Sequence, residues 1–271
     1  MKQRAIDGAV RLAAQVAGSG HPLVGLHGLT ATRRYVLLGS RALERGGYEV
    51  VLYDARGHGD SAAPPDGDYS YEALSHDLGR VLDAFGFERA LLVGASMGAH
   101  TALRFALERP ERVAGLVLVT PAYDPHDAES QLPRWDALSR ALRTGGIPAF
   151  VDAFDLSTLA PRWRDVVRSA ITQRLALQAS LDAVADALAA VPRSRPFDDF
   201  AELSRIALPT LVVASRDDAD PGHRLAIAQR YVAALPDAKL LVEEPGRPPI
   251  AWRGSRLSRA IAALGERAWA S

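Results

Sequence analysis

Six short apolar runs constrain this chain more than any other feature. They occupy residues 22–26 (PLVGL), 48–53 (YEVVLY), 90–93 (ALLV), 113–119 (VAGLVLV), 209–214 (PTLVVA) and 238–242 (AKLLV). Each is apolar on both faces, which suits strands buried in a parallel sheet better than half-exposed antiparallel ones. Between them lie stretches with apolar residues at i, i+3 and i+4, at 34–45, 71–85, 98–108, 222–234 and 255–264, the spacing of amphipathic helices. Strand–helix alternation of this kind predicts an open α/β sheet with helices on both faces. Two weaker strands, 3–6 and 10–16, meet at Asp7-Gly8, a hairpin turn signal, so the sheet is expected to start antiparallel.

One region breaks the alternation. From 121 to 196 no strand pattern occurs; helical stretches at 135–142, 147–154, 163–177 and 181–191 are punctuated by Pro133, Pro148, Pro161 and Pro192. The expected organisation is a core built from residues 1–120 and 197–271, with a helical cap, 121–196, inserted after the sixth strand of a mostly parallel eight-stranded sheet.

Composition removes whole classes of function. The chain has 271 residues with 32 basic and 32 acidic side chains, a formal net charge of zero, so it carries no electrostatic footprint for nucleic acid or an anionic membrane. With no cysteine, disulfides, thiol catalysis and zinc–thiolate sites are excluded. No apolar run approaches the length of a membrane span. The opening MKQRAIDGAVRLAAQ has charge where a signal peptide needs an apolar core. The expectation is a cytoplasmic protein whose partner is a small molecule, not nucleic acid or membrane.

The chemistry is concentrated in LVGASMGAH, residues 92–100. Gly94-x-Ser96-x-Gly98 follows a strand and opens a helix, the context in which a serine sits on a tight, strained turn with its hydroxyl clear of the sheet. The N–H of Met97, at the helix start, then points into the same space and is placed to hold an oxyanion. Two further motifs accompany it: Gly25-Leu26-His27-Gly28-Leu29-Thr30 after the third strand, and Asp54-Ala55-Arg56-Gly57-His58-Gly59-Asp60-Ser61 after the fourth. With Ser215-Arg216-Asp217-Asp218 after the run at 209, this set resembles the α/β-hydrolase fold superfamily over nearly the whole chain. The resemblance implies that the N–H of Leu29 is a second oxyanion donor. It also implies that the triad acid is Asp218, with Asp217 as second choice, and that no cofactor is needed.

A triad also needs a base, since a serine hydroxyl is a poor nucleophile until an imidazole takes its proton. In the family this histidine follows the last strand. Here that segment is EEPGRPPIAW, with Arg247 at the expected position and no histidine anywhere after His223. An arginine stays protonated and cannot serve as a general base. His223, on the acid loop, is the best-placed substitute; the competing reading is an exposed residue in the first helical turn. His27 is expected to brace the oxyanion loop and His100 to pack beneath the site. The cluster Asp217, Asp218, Asp220, His223 lacks the spacing of a hard-metal loop, and no early turn has the G-x-G-x-x-G pattern of dinucleotide sites, so neither metal nor nucleotide cofactor is expected.

Three functions follow. The first is a serine-type hydrolase of a small, largely apolar ester, lactone or related carbonyl compound, of low activity if the base is missing. The second is a non-catalytic protein binding a small ligand under the cap. The third is a lyase or isomerase step without an acyl-enzyme.

Overall fold

The computed structural model describes residues 2–270; Met1 and Ser271, which close the two expected core segments, lie outside the described residues. An eight-stranded sheet runs in the order β1-β2-β4-β3-β5-β6-β7-β8. Its strands are β1 Lys2–Ile6, β2 Leu12–Gly18, β3 His21–Leu26, β4 Tyr48–Tyr53, β5 Ala90–Ala95, β6 Val113–Val119, β7 Thr210–Val213 and β8 Ala238–Leu241. The β1–β2 hairpin around Asp7-Gly8 is antiparallel, β2 pairs antiparallel with β4, and the remaining pairs are parallel.

Alternation along the buried strands feeds two cores. On one face, Val24, Leu92 and Leu116 pack against α2 (Tyr71–Ala84), α3 (Met97–Glu108) and α7 (Leu225–Ala234). On the other, Leu23, Leu91, Val93 and Val117 pack against the short α1 (Ala42–Arg45) and α8 (Gly254–Ala270). Between β6 and β7 the chain forms α4 (Leu132–Ala153), α5 (Pro161–Leu175) and α6 (Leu181–Ala190), gathered around a third cluster that includes Leu142, Phe150, Ile171 and Leu188.

Local chemistry revises three expected helices. The pattern at 34–45 is not one helix: Leu38 and Gly39 take left-handed backbone, with φ of 47° and 75°, leaving a 3-10 turn at Arg33–Tyr35 and the four residues of α1. The stretches 135–142 and 147–154 are halves of α4, broken at Gly146 (φ 63°), two residues before Pro148, whose ring excludes a normal helical bond. The helix expected from 222 begins at Leu225, because residues 220–223 form a turn instead.

Strand order reverses at β3, which has β4 on one side and β5 on the other. Loops leaving the carboxyl ends of β3 and β5 therefore diverge and open a crevice, the usual ligand site of such sheets. The loop after β4 braces it. Asp54, fully buried, accepts from the backbone N–H of Arg33 at 2.7 Å and is ion-paired with its guanidinium, which also reaches Asp60 at 2.7 Å. Arg56 is likewise paired with Asp77 at 2.7 Å. Removing one partner of a buried pair strands the other, at a cost of about 3–5 kcal/mol. Arg33→Ala is therefore expected to lower unfolding free energy by about that amount in urea denaturation; a loss below about 1 kcal/mol would show that the pair does not brace the loop.

Candidate active site

The turn after β5 is built by close approach. A Cβ on Gly94 would collide with the Gly98 carbonyl, and one on Gly98 with the carbonyl of Leu26 at the end of β3. Only glycine lets helix α3 start this close to the strands. Ser96 between them has φ 47° and ψ −112°, a region that costs a non-glycine residue of order 1–3 kcal/mol. Three bonds hold it there: its N–H donates to Val119 O at 2.9 Å, and its carbonyl accepts from Ala99 and His100 N–H at 2.9 and 3.1 Å.

The imidazole that faces this serine comes from the acid loop. His223 Nε2 lies 2.9 Å from Ser96 Oγ, and His223 Nδ1 lies 2.8 Å from Asp220 Oδ1. With the carboxylate accepting, Nδ1 carries the proton and Nε2 is left to accept from the serine hydroxyl, the tautomer a general base requires. The turn makes this local. His223 N–H donates to Asp220 O at 3.0 Å across Pro221-Gly222, putting residues 220 and 223 on one side of a β-turn with proline at its second position. Both side chains are half-buried.

The resemblance pointed to Asp218 as the acid, with Asp217 second, and neither carboxylate faces His223. The Asp218 carboxylate turns outward to Arg162 at 2.5 Å, while its carbonyl accepts from Ala160 N–H, so this residue joins the loop to the start of α5. Asp217 caps α7 by accepting from Leu225 N–H at 2.8 Å. Arg247 is exposed in a turn, its N–H donating to Glu244 O at 3.0 Å. The useful signal missed in the sequence was Asp220-Pro-Gly-His223: a carboxylate and an imidazole three residues apart across a turn-forming pair.

The expected oxyanion donors border the same space. Gly28 lies against the serine turn, where an added Cβ would stand 3.3 Å from Ser96 Cβ, and Leu29 follows it. Met97 is the first residue of α3. Among the described residues, no turn, loop or side-chain acceptor takes the N–H of either Leu29 or Met97.

Three buried histidines lie around the site, two of them accepting backbone N–H groups and His58 donating from Nδ1 to Arg56 O at 3.0 Å. His27 Nε2 accepts from Ala55 N–H at 2.9 Å and its Nδ1 meets Gly28 O at 2.8 Å, tying the β3 and β4 loops together. His100 Nε2 accepts from Ala122 and Tyr123 N–H at 3.0 and 3.1 Å, and its Nδ1 meets the Tyr71 hydroxyl at 3.0 Å. His58 packs 5.1 Å from the His27 ring. Burial pushes their pKa values down from 6.5, to about 4 for His27 and about 3 for His58 and His100. His126 and His76 are exposed, and His21, exposed as well, stacks on Trp269. Among the described residues no group of three or more His, Asp or Glu side chains is arranged to hold a metal ion.

One glutamine of the insertion bridges two of the core loops. Gln178, just past α5, accepts from Gly59 N–H at 2.6 Å through Oε1 and donates through Nε2 to Thr30 O and Ala31 O at 2.9 and 3.1 Å. It spans the loops after β3 and β4, and nothing in the sequence singled it out.

An open α/β sheet carrying a serine on a strained strand-to-helix turn at its switch point is the arrangement of an α/β hydrolase. The chain belongs to that family: the sequence model of the alpha/beta hydrolase fold matches residues 21–253, and the protein is an α/β-fold hydrolase. A protein of Klebsiella pneumoniae (strain 342) provisionally named carbamate hydrolase RutD is 34% identical over 203 residues, 73% of this chain and 74% of that protein. The 2-hydroxy-6-oxononadienedioate/2-hydroxy-6-oxononatrienedioate hydrolase of Paraburkholderia xenovorans (strain LB400) is 32% identical over 254 residues, 86% of this chain and 83% of its own length. Among solved structures, a thermophilic esterase from Thermogutta terrifontis superposes with a TM-score of 0.81 at 24% identity, covering 99% of both chains. The enol-lactonase from Burkholderia xenovorans LB400 gives 0.78 at 22%, covering 98% of this chain and all of that one. At these identities the two structures speak for the fold alone. Among the described residues no helix is long and apolar enough to cross a membrane.

The framing histidines make stability pH-dependent. Their pKa values in the folded protein lie below the 6.5 of a free imidazole, so between about pH 4 and 6.5 the unfolded chain binds more protons than the folded one. Stability is therefore full above pH 6.5 and is lost as pH falls below it, by up to about 1.4 kcal/mol per pH unit for each histidine. Urea midpoints at pH 7, 6 and 5 are expected to fall in that order; a flat series would contradict the assignment of these imidazoles as buried and neutral.

Proposed function

We propose that the protein is a serine hydrolase of a small carbonyl compound, an ester, lactone or related substrate, working through an acyl-enzyme at Ser96. The observation that carries this reading is the 2.9 Å approach of His223 Nε2 to Ser96 Oγ, with Asp220 on the opposite ring nitrogen.

Ser96 Oγ adds to the substrate carbonyl carbon while its proton passes to His223 Nε2. The carbonyl oxygen takes the negative charge, met by the N–H groups of Leu29 and Met97. Collapse of the adduct expels the leaving group, which takes the proton from His223 and departs as an alcohol or its equivalent. Water then attacks the acyl-Ser96, giving its proton to His223; the acid leaves and Ser96 recovers its hydrogen. Asp220 holds the imidazole in the accepting tautomer and balances the charge of the imidazolium. The helices α4 to α6 supply the apolar wall over the serine, and the substrate partner is a small molecule. The names of the two sequence relatives, which speak of a carbamate and of a 2-hydroxy-6-oxononadienedioate, support a small carbonyl substrate.

The ligand-binding and lyase readings both drew on a missing base. An imidazole within hydrogen-bond reach of Ser96 removes that motive, and Arg247 is left as an exposed loop residue.

Kinetics on p-nitrophenyl acetate test the roles. Ser96→Ala and His223→Ala are each expected to lower kcat by on the order of 10⁴–10⁶, and Asp220→Asn by on the order of 10⁴. Asp218→Asn and Arg247→Ala are expected to stay within about threefold, because neither touches the reacting groups. A fluorophosphonate is expected to label Ser96. Full activity in His223→Ala, or a collapse in Asp218→Asn with Asp220→Asn intact, would overturn the assignment.

A further inference from the structure

Among the described residues Arg174 is a cation without a salt-bridge partner, on a helix that packs beside the loop after β3. It lies on the last turn of α5, whose inward side carries Val167, Ile171 and Leu175. Leu29 of the oxyanion loop packs against that same apolar cluster. The Arg174 carbonyl accepts from Gln178 Nε2, which also donates to Thr30 O and Ala31 O of the loop. The residue is thus pinned beside the segment that carries the Leu29 N–H.

Its guanidinium is unusual in this molecule. The Nε is shut off from solvent and has no acceptor, and among the described residues no carboxylate pairs with the side chain. The Nε of Arg33 and of Arg89 also lacks an acceptor, but the guanidinium of Arg33 is ion-paired with Asp54 and Asp60, and that of Arg56 with Asp77. The residue as a whole is half-buried. Burial draws its pKa below the ordinary arginine value, with the charges of Asp220 and Tyr35 acting in the opposite sense. The Tyr35 hydroxyl feels the same positive charge, which offsets part of the rise that burial imposes on it. Arg174 is therefore within electrostatic reach of the triad carboxylate on one side and a phenol on the other.

A buried charge is costly unless it is paired, and a planar guanidinium is matched by a planar carboxylate that accepts two of its N–H groups. A single guanidinium balances one negative charge; a phosphate dianion would leave one over.

We propose that Arg174 is the anion-recognition residue of the cleft and that the substrate is a small carbonyl compound bearing a free carboxylate. This rests on Ser96 being the nucleophile, and it narrows the substrate class of the same site.

Two measurements separate this inference from the hydrolase reading. The first is binding without turnover: calorimetric titration of the wild-type protein with 4-phenylbutanoate and with its uncharged analogue 4-phenylbutanamide. The carboxylate is expected to bind about tenfold to a hundredfold more tightly, the worth of a hydrogen-bonded charge pair. Arg174→Gln is expected to erase the preference, and Arg174→Lys to keep part of it by retaining charge without the fork. The second is the ratio of kcat/KM for p-nitrophenyl hemisuccinate over p-nitrophenyl butyrate, expected to favour the acid in the wild type and to collapse in Arg174→Gln. Equal binding of the two phenylbutyryl compounds by the wild type, or a preference that survives in Arg174→Gln, would overturn the proposal. If Arg174→Gln does not fold by circular dichroism, the wild-type preference and Arg174→Lys decide. Absence of turnover with every ester would sink the hydrolase reading while the titration still judges Arg174.

Discussion

The structure depends on how closely helix α3 can approach the ends of β3 and β5. Gly94 and Gly98 have no side chains because backbone carbonyls occupy the space a Cβ would need. That closeness forces Ser96 into strained backbone with φ 47° and aims its hydroxyl out of the sheet. It also brings the first turn of α3 against the loop that carries Gly28 and Leu29. The strain is held by bonds from both directions, the Val119 carbonyl on one side and the Ala99 and His100 N–H groups on the other. Without the packed sheet beneath, nothing would keep a serine in that conformation.

Around this turn the fold solves an electrostatic problem with neutral imidazoles. His27 and His100 accept backbone N–H groups from loops that would otherwise leave donors buried and unpaired. Burial pushes their pKa values down, so they brace the loops as neutral imidazoles. The acid and base share one short turn. A triad is defined by the geometry of its groups and not by their order along the chain. A histidine three residues after its carboxylate reaches the serine as well as one brought in from another loop.

Much of the fold was legible in sequence because the signals are local. Apolar runs at 48–53 and 113–119 became β4 and β6 with the same limits, and Asp7-Gly8 marked the antiparallel hairpin. Failures occurred where tertiary packing overrode periodicity. The pattern at 34–45 reads as one helix, yet the Leu37 carbonyl sits against Gly254 of α8 and the chain bends at Leu38-Gly39. In the site, the serine turn and the loop that carries Gly28 and Leu29 were readable from their glycines. The choice of Asp220 over Asp218 was not, since adjacent carboxylates in a turn differ only in direction. Arg162 drew one outward and His223 met the other.

By itself the sequence determined the sheet-and-helix architecture and the place of the Gly94-x-Ser96-x-Gly98 turn between a strand and a helix. Hydrophobic period and glycine spacing are properties of neighbouring residues. It also established that no histidine follows the last strand. Tertiary structure alone decided which imidazole meets the serine, which aspartate meets that imidazole, and that among the described residues Arg174 Nε is buried without an acceptor. Those outcomes depend on side-chain directions and on contacts between segments more than a hundred residues apart, such as Ser96 with His223 and Thr30 with Gln178. Only the closed fold brings such pairs within the few ångströms over which a hydrogen bond acts.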